Sequence, residues 1–420
     1  MPTPADRRPS TGRTLLIGMV VVAGLGAGAC TSDADWRRGT AAEPAGSAGS
    51  ERCSPTAAPA PGSDAATVLE VAEQAMDDDG LRTVLISVER GGEQLVTAAL
   101  GESVDGVPAD PQQRFFDGAV VFSHLGTLML QLADEGVLEM DEPIDTYVDG
   151  VPGGDRITPR MLMSSTSGLA DFVPMDAWID QLYDDPFRPF TDAELEAYVY
   201  PEPLLFEPGT NVSYSHMGFR LAGRVVEAAS GRPLDELLSE RITTPLGMSS
   251  TEVVDAVEVP GPVLRTFTDE RGTYEESTSW SPAWGVPERA TQVTDICDLR
   301  RSARGIGSGE LLDPGQFEQL LDPGTVGLDG PNEECPGCIP QSEQLHFGLG
   351  VTVADDWVIQ TPSFTGIAAV QAHLPAEDLS IAVANTYTPD GDVGTNASTA
   401  ILAELARRLT PESPLPPQLG

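Results

Sequence analysis

Lysine is entirely missing from this sequence of 420 residues. All 24 basic residues are arginines. The arginine guanidinium keeps its proton at neutral pH, so it serves neither as a general base nor as a Schiff-base nucleophile. Any mechanism that depends on a lysine side chain is therefore excluded.

Positive charge is scarce as well. The 65 acidic residues outnumber the basic ones and give a formal net charge of −41. Such a surface repels phosphate backbones, so we expect no nucleic-acid partner. The acidic excess is consistent with a solubilising surface, with attraction of cationic partners, or with adaptation to high salt.

Signals for metals and cofactors are also weak. The four histidines show no metal-ligand spacing; they are His124, His216, His346 and His373. The acidic run at 77–79 lacks the spacing of a calcium loop, and no Gly-x-Ser-x-Gly nucleophile elbow occurs. We expect no cofactor and no metal.

The N-terminus resembles an export signal. Arg7, Arg8 and Arg13 precede an apolar run over 15–29, which is shorter than the about 20 residues that span a membrane. Small residues stand directly before Cys30, as in a bacterial lipobox. We therefore expect a lipoprotein signal peptide at 1–30 and a lipid anchor on Cys30, placing the protein outside the cytoplasm on the cell membrane; secretion with an incidental cysteine is the alternative.

Composition divides the rest of the chain. Residues 31–62 are rich in Ala, Gly, Ser and Pro without periodicity, which is typical of a flexible tether. Patterned sequence follows over 63–410, and 411–420 form a tail. The sequence predicts one folded domain behind a tether.

Four further cysteines remain, namely Cys53, Cys297, Cys335 and Cys338. An even number in an exported chain favours disulfides, and four cysteines allow three pairings. Cys335 and Cys338 could instead form half of a zinc site or a redox motif, but no second pair at metal spacing exists. We predict at least one disulfide between two of Cys297, Cys335 and Cys338.

Hydrophobic periodicity predicts strands at both ends of the chain and helices between them. The predicted helices are at 64–77, 119–135, 159–163, 219–230, 233–241, 298–304 and 396–409. The predicted strands are at 83–89, 94–99, 347–353, 357–360, 367–374 and 379–385. This order predicts an α/β fold with one antiparallel sheet closed by the two chain ends, flanked by helices and carrying a helical insertion.

Several segments, in order, resemble β-lactamase-related serine hydrolases of the class C β-lactamase and D-alanyl-D-alanine carboxypeptidase type, which include penicillin-binding proteins. The segment 206–216 matches that family's Pro-Gly-x-x-x-x-Tyr-Ser-Asn pattern, followed by matches at 231–234 and 245–248. Further matching segments are 130–136, 157–162, 165–169 and 347–350. The resemblance covers about 65–410 and implies a β-lactamase/transpeptidase-like fold.

The resemblance implies acyl transfer by a serine, with a lysine three residues later and a tyrosine that relays the proton. Counting back from 130 without a gap puts Ala119 at the serine position and Phe122 at the lysine position. Shifting the register to Ser123 places Gly126 at the lysine position. No alignment restores the pair, since the chain has no lysine.

The other two motifs are altered as well. Tyr214 matches the relay tyrosine, but His216 replaces the asparagine two residues later. Gln360 and Pro362 lie where the family has a Lys/His-x-Gly strand. Proline also removes a backbone N–H that an extended peptide could use.

These changes predict a catalytically inactive, lipid-anchored envelope protein with a binding or scaffolding role, its partner a peptidoglycan fragment or an envelope protein. One alternative is an active hydrolase of the family, a β-lactamase, carboxypeptidase or esterase, that uses Tyr214 and His216 in another way. A further alternative is a purely structural protein with a filled cleft.

Overall fold

The computed structural model describes residues 53–254 and 259–419. Its main sheet has nine strands in the order β3-β2-β1-β14-β13-β11-β10-β9, with β12 paired to β13, and every pairing is antiparallel. The strands are β1 (Leu81–Arg90), β2 (Glu93–Val104), β3 (Val107–Pro108), β9 (Leu345–Phe347), β10 (Thr352–Ala354), β11 (Trp357–Gln360), β12 (Ser363–Phe364), β13 (Ile367–Leu374) and β14 (Leu379–Tyr387). Because β1 pairs with β14, the two ends of the chain close the sheet, as predicted.

Ten α-helices surround the sheet in the described part of the chain. They are α1 (Asp64–Asp78), α2 (Val120–Asp134), α3 (Pro159–Met163), α4 (Asp176–Asp184), α5 (Asp192–Val199), α6 (His216–Ser230), α7 (Leu234–Leu238), α8 (Ile296–Gly307), α9 (Pro314–Leu321) and α10 (Ala397–Leu409). A π-helical turn, Ser239–Thr243, continues α7. Helices α1 and α10 pack together beside β1 and β13, α8 contacts β1, β13 and β14, and α2 to α7 form the inserted helical region. The predicted α/β architecture is confirmed.

Two small sheets complete the fold. One has the order β4-β8-β5, with β4 (Phe115–Phe116), β8 (Gln292–Thr294) and β5 (Glu252–Val253). The other pairs β6 (Phe267–Thr268) with β7 (Glu275–Glu276). The first matters for the site, because β4 leads directly into α2.

Local sequence signals explain several element boundaries. The side chain of Ser63 accepts the N–H of Ala66 at the start of α1, and Asn396 caps α10 in the same way, as side-chain oxygens do at helix N-termini. Gly91 and Gly92 both have positive φ in the turn between β1 and β2, a conformation that glycine adopts freely. These boundaries agree with the predicted ones within one residue.

One predicted strand is wrong. The range 347–353 contains parts of two strands, β9 and β10, which pair with each other across a turn. Gly350 has a φ of +75° there, and a Cβ at this position would overlap the carbonyl oxygen of Phe122. The apolar composition of the segment reflects burial of this turn against α2. The prediction also missed the short helices α4, α5 and α9, although α5 and α9 begin with capping boxes.

Two disulfides are present, Cys53–Cys297 and Cys335–Cys338. The second fulfils the prediction of a bond within the C-terminal three cysteines. The first ties part of the segment assigned to the tether into the fold: Cys53 is buried, and the N–H of Thr56 donates to the carbonyl of Thr97. The folded region therefore extends upstream of the predicted boundary at residue 63.

Residues after 410 also contact the fold. The indole N–H of Trp357 donates to the carbonyl of Ser413, and Leu415 and Leu419 pack against the core beside the sheet. The predicted signal peptide and the predicted lipidation site at Cys30 lie outside the described residues. Within 53–254 and 259–419, no helix combines the length and apolar character that crossing a membrane requires.

Candidate functional site

Helix α2 begins at the position where the family's nucleophile is expected. Ala119 is the N-cap of α2 and is half-buried. Gly118, just before it, has a positive φ, and a Cβ there would lie 2.8 Å from the ring of Phe364 and 3.2 Å from Cβ of Pro362. The start of α2 thus sits directly against the turn between β11 and β12, which brings Ala119 and Pro362 to one place.

Phe122 lies one helical turn further into the protein. Its side chain is fully buried and stacks on Phe219 of α6, with ring centroids 3.9 Å apart and an interplanar angle of 9°. A stacked aromatic pair contributes about 0.5–1.5 kcal/mol beyond the burial of its area. An apolar pair therefore occupies the position that the sequence predicts for the cation of the family motif.

Gln360 is hydrogen-bonded to Gly350, whose backbone lies against the carbonyl group of Phe122. Its Nε2 donates to the carbonyl of Gly350 at 2.9 Å, and its Oε1 accepts the N–H of Thr361 at 2.9 Å. Both ends of the amide are thus used within the protein. A neutral side chain engaged in this way offers no charge to a substrate carboxylate.

Tyr214 packs at the rim of the aromatic cluster. Its ring centroid lies 5.4 Å from that of Phe219 and 5.0 Å from that of His216. Burial, reinforced by the charge of Asp171, raises the pKa of the Tyr214 phenol far above its ordinary value. The phenol stays protonated at neutral pH and is a poor base.

His216 has a partner that the sequence did not reveal. Its Nδ1 lies 3.0 Å and 3.2 Å from the carboxylate oxygens of Asp171, and its backbone N–H donates to the same group. The two side chains are only 8% and 15% exposed. Among described residues, Nε2 has no hydrogen-bond partner. A carboxylate on Nδ1 places the proton there and leaves Nε2 as the acceptor.

The remaining polar groups near α2 are internal. Ser123 is fully buried; its hydroxyl donates to the carbonyl of Val120 and accepts from Nε2 of Gln371. His124 bonds to Gln292 and to Ser302, and burial lowers its pKa to about 4. Neither residue can present its side chain to the cleft, so the shifted register at Ser123 offers no substitute nucleophile.

A disulfide-bonded loop supports the segment that carries Tyr214. Cys335 and Cys338 are buried and pack against Phe206. On the same loop, Gly330 accepts from Nδ2 of Asn211 at 2.8 Å. The N–H of Ile339 donates to the carbonyl of Val212 at 2.9 Å. The Cys335–Cys338 disulfide therefore lies in a loop that packs against the segment carrying Tyr214.

The structure thus gathers the six positions named from sequence: Ala119, Phe122, Tyr214, His216, Gln360 and Pro362. It adds Asp171 and Phe219. No spacing rule pointed to either residue, because both act through contacts between distant segments. Asp171 follows the matched segment 165–169, and an acid close to such a segment is the one available signal.

Comparison with known proteins agrees with the overall fold. The D-stereospecific amidohydrolase from Streptomyces sp. superposes with a TM-score of 0.69 at 20% identity, covering 84% of this chain and 100% of that one. For the penicillin-binding protein from Bacillus halodurans the TM-score is 0.62 at 20% identity, with 79% and 98% covered. These similarities confirm the predicted β-lactamase/transpeptidase-like fold.

The relatives identified by sequence match a smaller share of this chain than the solved structures do. Penicillin-binding protein 4 of Amycolatopsis lactamdurans is 28% identical over 190 residues, which are 44% of this chain and 47% of that protein. The D-alanyl-D-alanine-carboxypeptidase/endopeptidase AmpH of Escherichia coli K12 is 30% identical over 193 residues, 43% and 47% respectively. The match thus spans about half of each relative. The family model described as Beta-lactamase matches residues 68–405, and the chain therefore belongs to the Beta-lactamase family.

Proposed function

We propose that this chain is a catalytically inactive member of the family that acts as a lipid-anchored binding protein on the outside of the cell membrane. The observation that carries the proposal is Phe122, which is fully buried and stacked on Phe219 at the position of the motif's lysine. Ala119, with no hydroxyl, stands at the position of the serine. Both halves of the acylating pair are thus replaced.

The size of the expected loss supports inactivity. Nucleophilic catalysis needs a hydroxyl or thiol within hydrogen-bond reach of a base. Removal of the nucleophile from a serine hydrolase costs on the order of 10⁶-fold in turnover, or about 8 kcal/mol of transition-state stabilisation. Tyr214 does not compensate, because its raised pKa keeps it protonated.

The rim of the cleft supports binding. Ala119 and Tyr214 are half-buried and pack against the core cluster that contains the buried rings of Phe122 and Phe219. Relatives carry names such as penicillin-binding protein and D-alanyl-D-alanine carboxypeptidase. A peptidoglycan fragment that ends in D-alanine, or an envelope protein, is the ligand we propose for this rim.

One observation favours a second candidate function. The Asp171–His216 pair has the geometry of a base held by an orienting carboxylate, and Nε2 of His216 lacks a partner among described residues. Such a pair could activate a water molecule. The second candidate is therefore a hydrolase of the same family that uses His216 as a general base.

Turnover assays separate the two candidates. The chain is incubated with a fluorescent penicillin, a chromogenic cephalosporin and a D-amino acid amide. We expect no covalent label and no hydrolysis above the buffer rate, and Ala119→Ser, with or without Phe122→Lys, should not reach the rates of active relatives, because a serine returned to an unprepared site gains little. Hydrolysis by the unmodified chain that disappears in His216→Gln would establish the second candidate instead.

Binding is tested by calorimetry with diacetyl-L-lysyl-D-alanyl-D-alanine. We expect saturable binding that weakens at least tenfold in Tyr214→Ala, whereas Tyr198→Ala, the same change on α5, should bind as the unmodified chain does. The same peptide with L-alanines is the stereochemical control. Absence of binding would favour the third possibility, a structural protein.

The anchor has its own test. From the arginines, the apolar run and the small residues before Cys30, we expect a mature chain that begins at a diacylated Cys30. Mass spectrometry of the native protein should find the lipid adduct, and Cys30→Ala should release protein into the medium. An unmodified N-terminus elsewhere would remove the anchor but leave export intact.

A further inference from the structure

A cavity of about 520 Å³ opens beside α7 in the helical region of the molecule. It lies between α7 with its π-helical turn and the strands β5 and β8. It shares no lining residue with the six cleft positions. The volume is within the range of small-molecule sites, about 300–1,000 Å³.

The charges around this cavity are mainly negative. Four carboxylates line it, those of Asp235, Glu236, Glu240 and Glu252, against a single guanidinium, that of Arg232. Arg232 already pairs with Glu236 and Glu240. The charge of Arg232 is thus already neutralised by two carboxylates of the same cavity. The cavity therefore attracts positive charge and repels anions.

Asp235 stands apart from the other acids. Glu236 and Glu240 face Arg232, and Glu252 pairs with Arg114, but no described residue forms an ion pair with Asp235. Its Oδ1 is buried without a hydrogen-bond partner. An unpaired buried carboxylate oxygen costs free energy, which a donor supplied by a ligand would recover.

Gln292 adds an unused donor to the same wall. This residue of β8 is 2% exposed, and its Oε1 is engaged by the imidazole of His124. Its Nε2 has no partner among described residues. Asp235 and Gln292 both line the cavity, and each has one side-chain atom without a hydrogen-bond partner among described residues; such a carboxylate and amide match a ligand that carries both a cationic donor and an acceptor.

A metal ion fits this cavity poorly. Nowhere in 53–254 and 259–419 do three carboxylate, imidazole or thiol ligands converge closely, except around the disulfide of Cys53 and Cys297. The acids of the cavity are therefore too far apart to share one cation of ionic size. An extended organic cation can reach separate groups.

We propose that this cavity binds a primary ammonium group borne on an amide, such as the side chain of a lysine-type residue in a short peptide. The ammonium pairs with Asp235, and the amide carbonyl of the ligand accepts from Nε2 of Gln292. The site is independent of the aromatic cleft, and its occupancy does not require catalysis there.

Calorimetric titration of the full chain with Nα-acetyl-L-lysine amide tests the site. We expect saturable binding that weakens at least tenfold in Asp235→Asn, and at least threefold between 50 and 500 mM NaCl because salt screens the charge pair. Asp77→Asn, the same change on the exposed surface of α1, is the matched control and should not alter the affinity. Equal melting temperatures of the two variants would show that the loss is local.

Two related probes sharpen the result. Nα,Nε-diacetyl-L-lysine amide lacks the positive charge and should not bind. Pentylamine keeps the charge but lacks the amide, and should bind at least threefold more weakly than the lysine derivative. The proposal is overturned if the lysine derivative does not bind at 20 mM, if the neutral probe binds equally well, or if Asp235→Asn binds as tightly as the unmodified chain; equal binding of pentylamine would remove Gln292 from the site.

Discussion

The central sheet and the neighbouring cleft differ in how their residues tolerate change. In β13 and β14 every residue is buried, and small or branched apolar side chains dominate both strands. In the cleft, a few specific polar residues would determine the chemistry, and aromatic or neutral side chains stand in their places. The fold depends on a distributed apolar pattern, whereas activity depends on two or three groups, so the first can persist when the second is replaced.

The largest expected effect concerns the aromatic floor of the cleft. Phe122→Lys should lower the free energy of unfolding by about 5 kcal/mol, because the ammonium would be buried without a partner and the stack on Phe219 would be lost. Phe187→Lys, at a side chain that is 53% exposed, should change it by less than about 0.5 kcal/mol. Chemical denaturation of both variants measures the difference.

A small effect of Phe122→Lys would break the comparison. It would mean that the cleft still has room or water for a cation, and that its apolar floor is not a stable replacement for the motif. The outcome bears on the proposed function too, since a tolerant floor would make recovery of activity in Ala119→Ser with Phe122→Lys more plausible.

The same contrast explains which features the sequence could predict. Strands β11 and β13 and helix α3 were predicted with their observed bounds, because local periodicity determines such elements. The Asp171–His216 pair and the Phe122–Phe219 stack depend on contacts between segments at least 45 residues apart, which one sequence does not encode locally. The sequence left the full disulfide pairing open for the same reason. An even number of cysteines indicates how many bonds can form, but not which cysteines they join.

The two disulfides provide the second test, one bond in each region. Cys53–Cys297 has a sequence separation of 244 residues and lies in the core beside the sheet, whereas Cys335–Cys338 has a separation of 3 and lies at the cleft. Loop-closure entropy sets an upper value of about 5.5 kcal/mol for the first and about 2 kcal/mol for the second, and strain or residual structure lowers the measured contributions. Denaturation of the double alanine variants should show this order, and equal losses would show that local strain or packing, not loop length, sets their contributions.

The smallest effect comes from Asp117, at the junction between the small sheet and the cleft. This residue connects β4 to α2, is 1% exposed, and neither of its carboxyl oxygens has a hydrogen-bond partner in another described residue. Burial therefore raises the pKa of the Asp117 carboxyl well above its ordinary value of 3.8. The folded protein holds this acid neutral at pH values where the unfolded chain ionises it.

The sign of the pH effect follows from this difference. Below about pH 4 the carboxyl is protonated in both states and costs no stability. As the pH rises toward the folded-state pKa, the unfolded state releases the proton and is stabilised relative to the folded state, so the free energy of unfolding falls by up to about 1.4 kcal/mol per pH unit. Asp117→Asn removes this term. We therefore expect the stability of the variant, relative to the unmodified chain, to increase as the pH rises from 5 to 7, measured by urea denaturation at both values. The other acids are common to both proteins, so parallel pH profiles would show that Asp117 is solvated or paired in solution, and that the head of α2 is more open to water than the apolar floor beneath it.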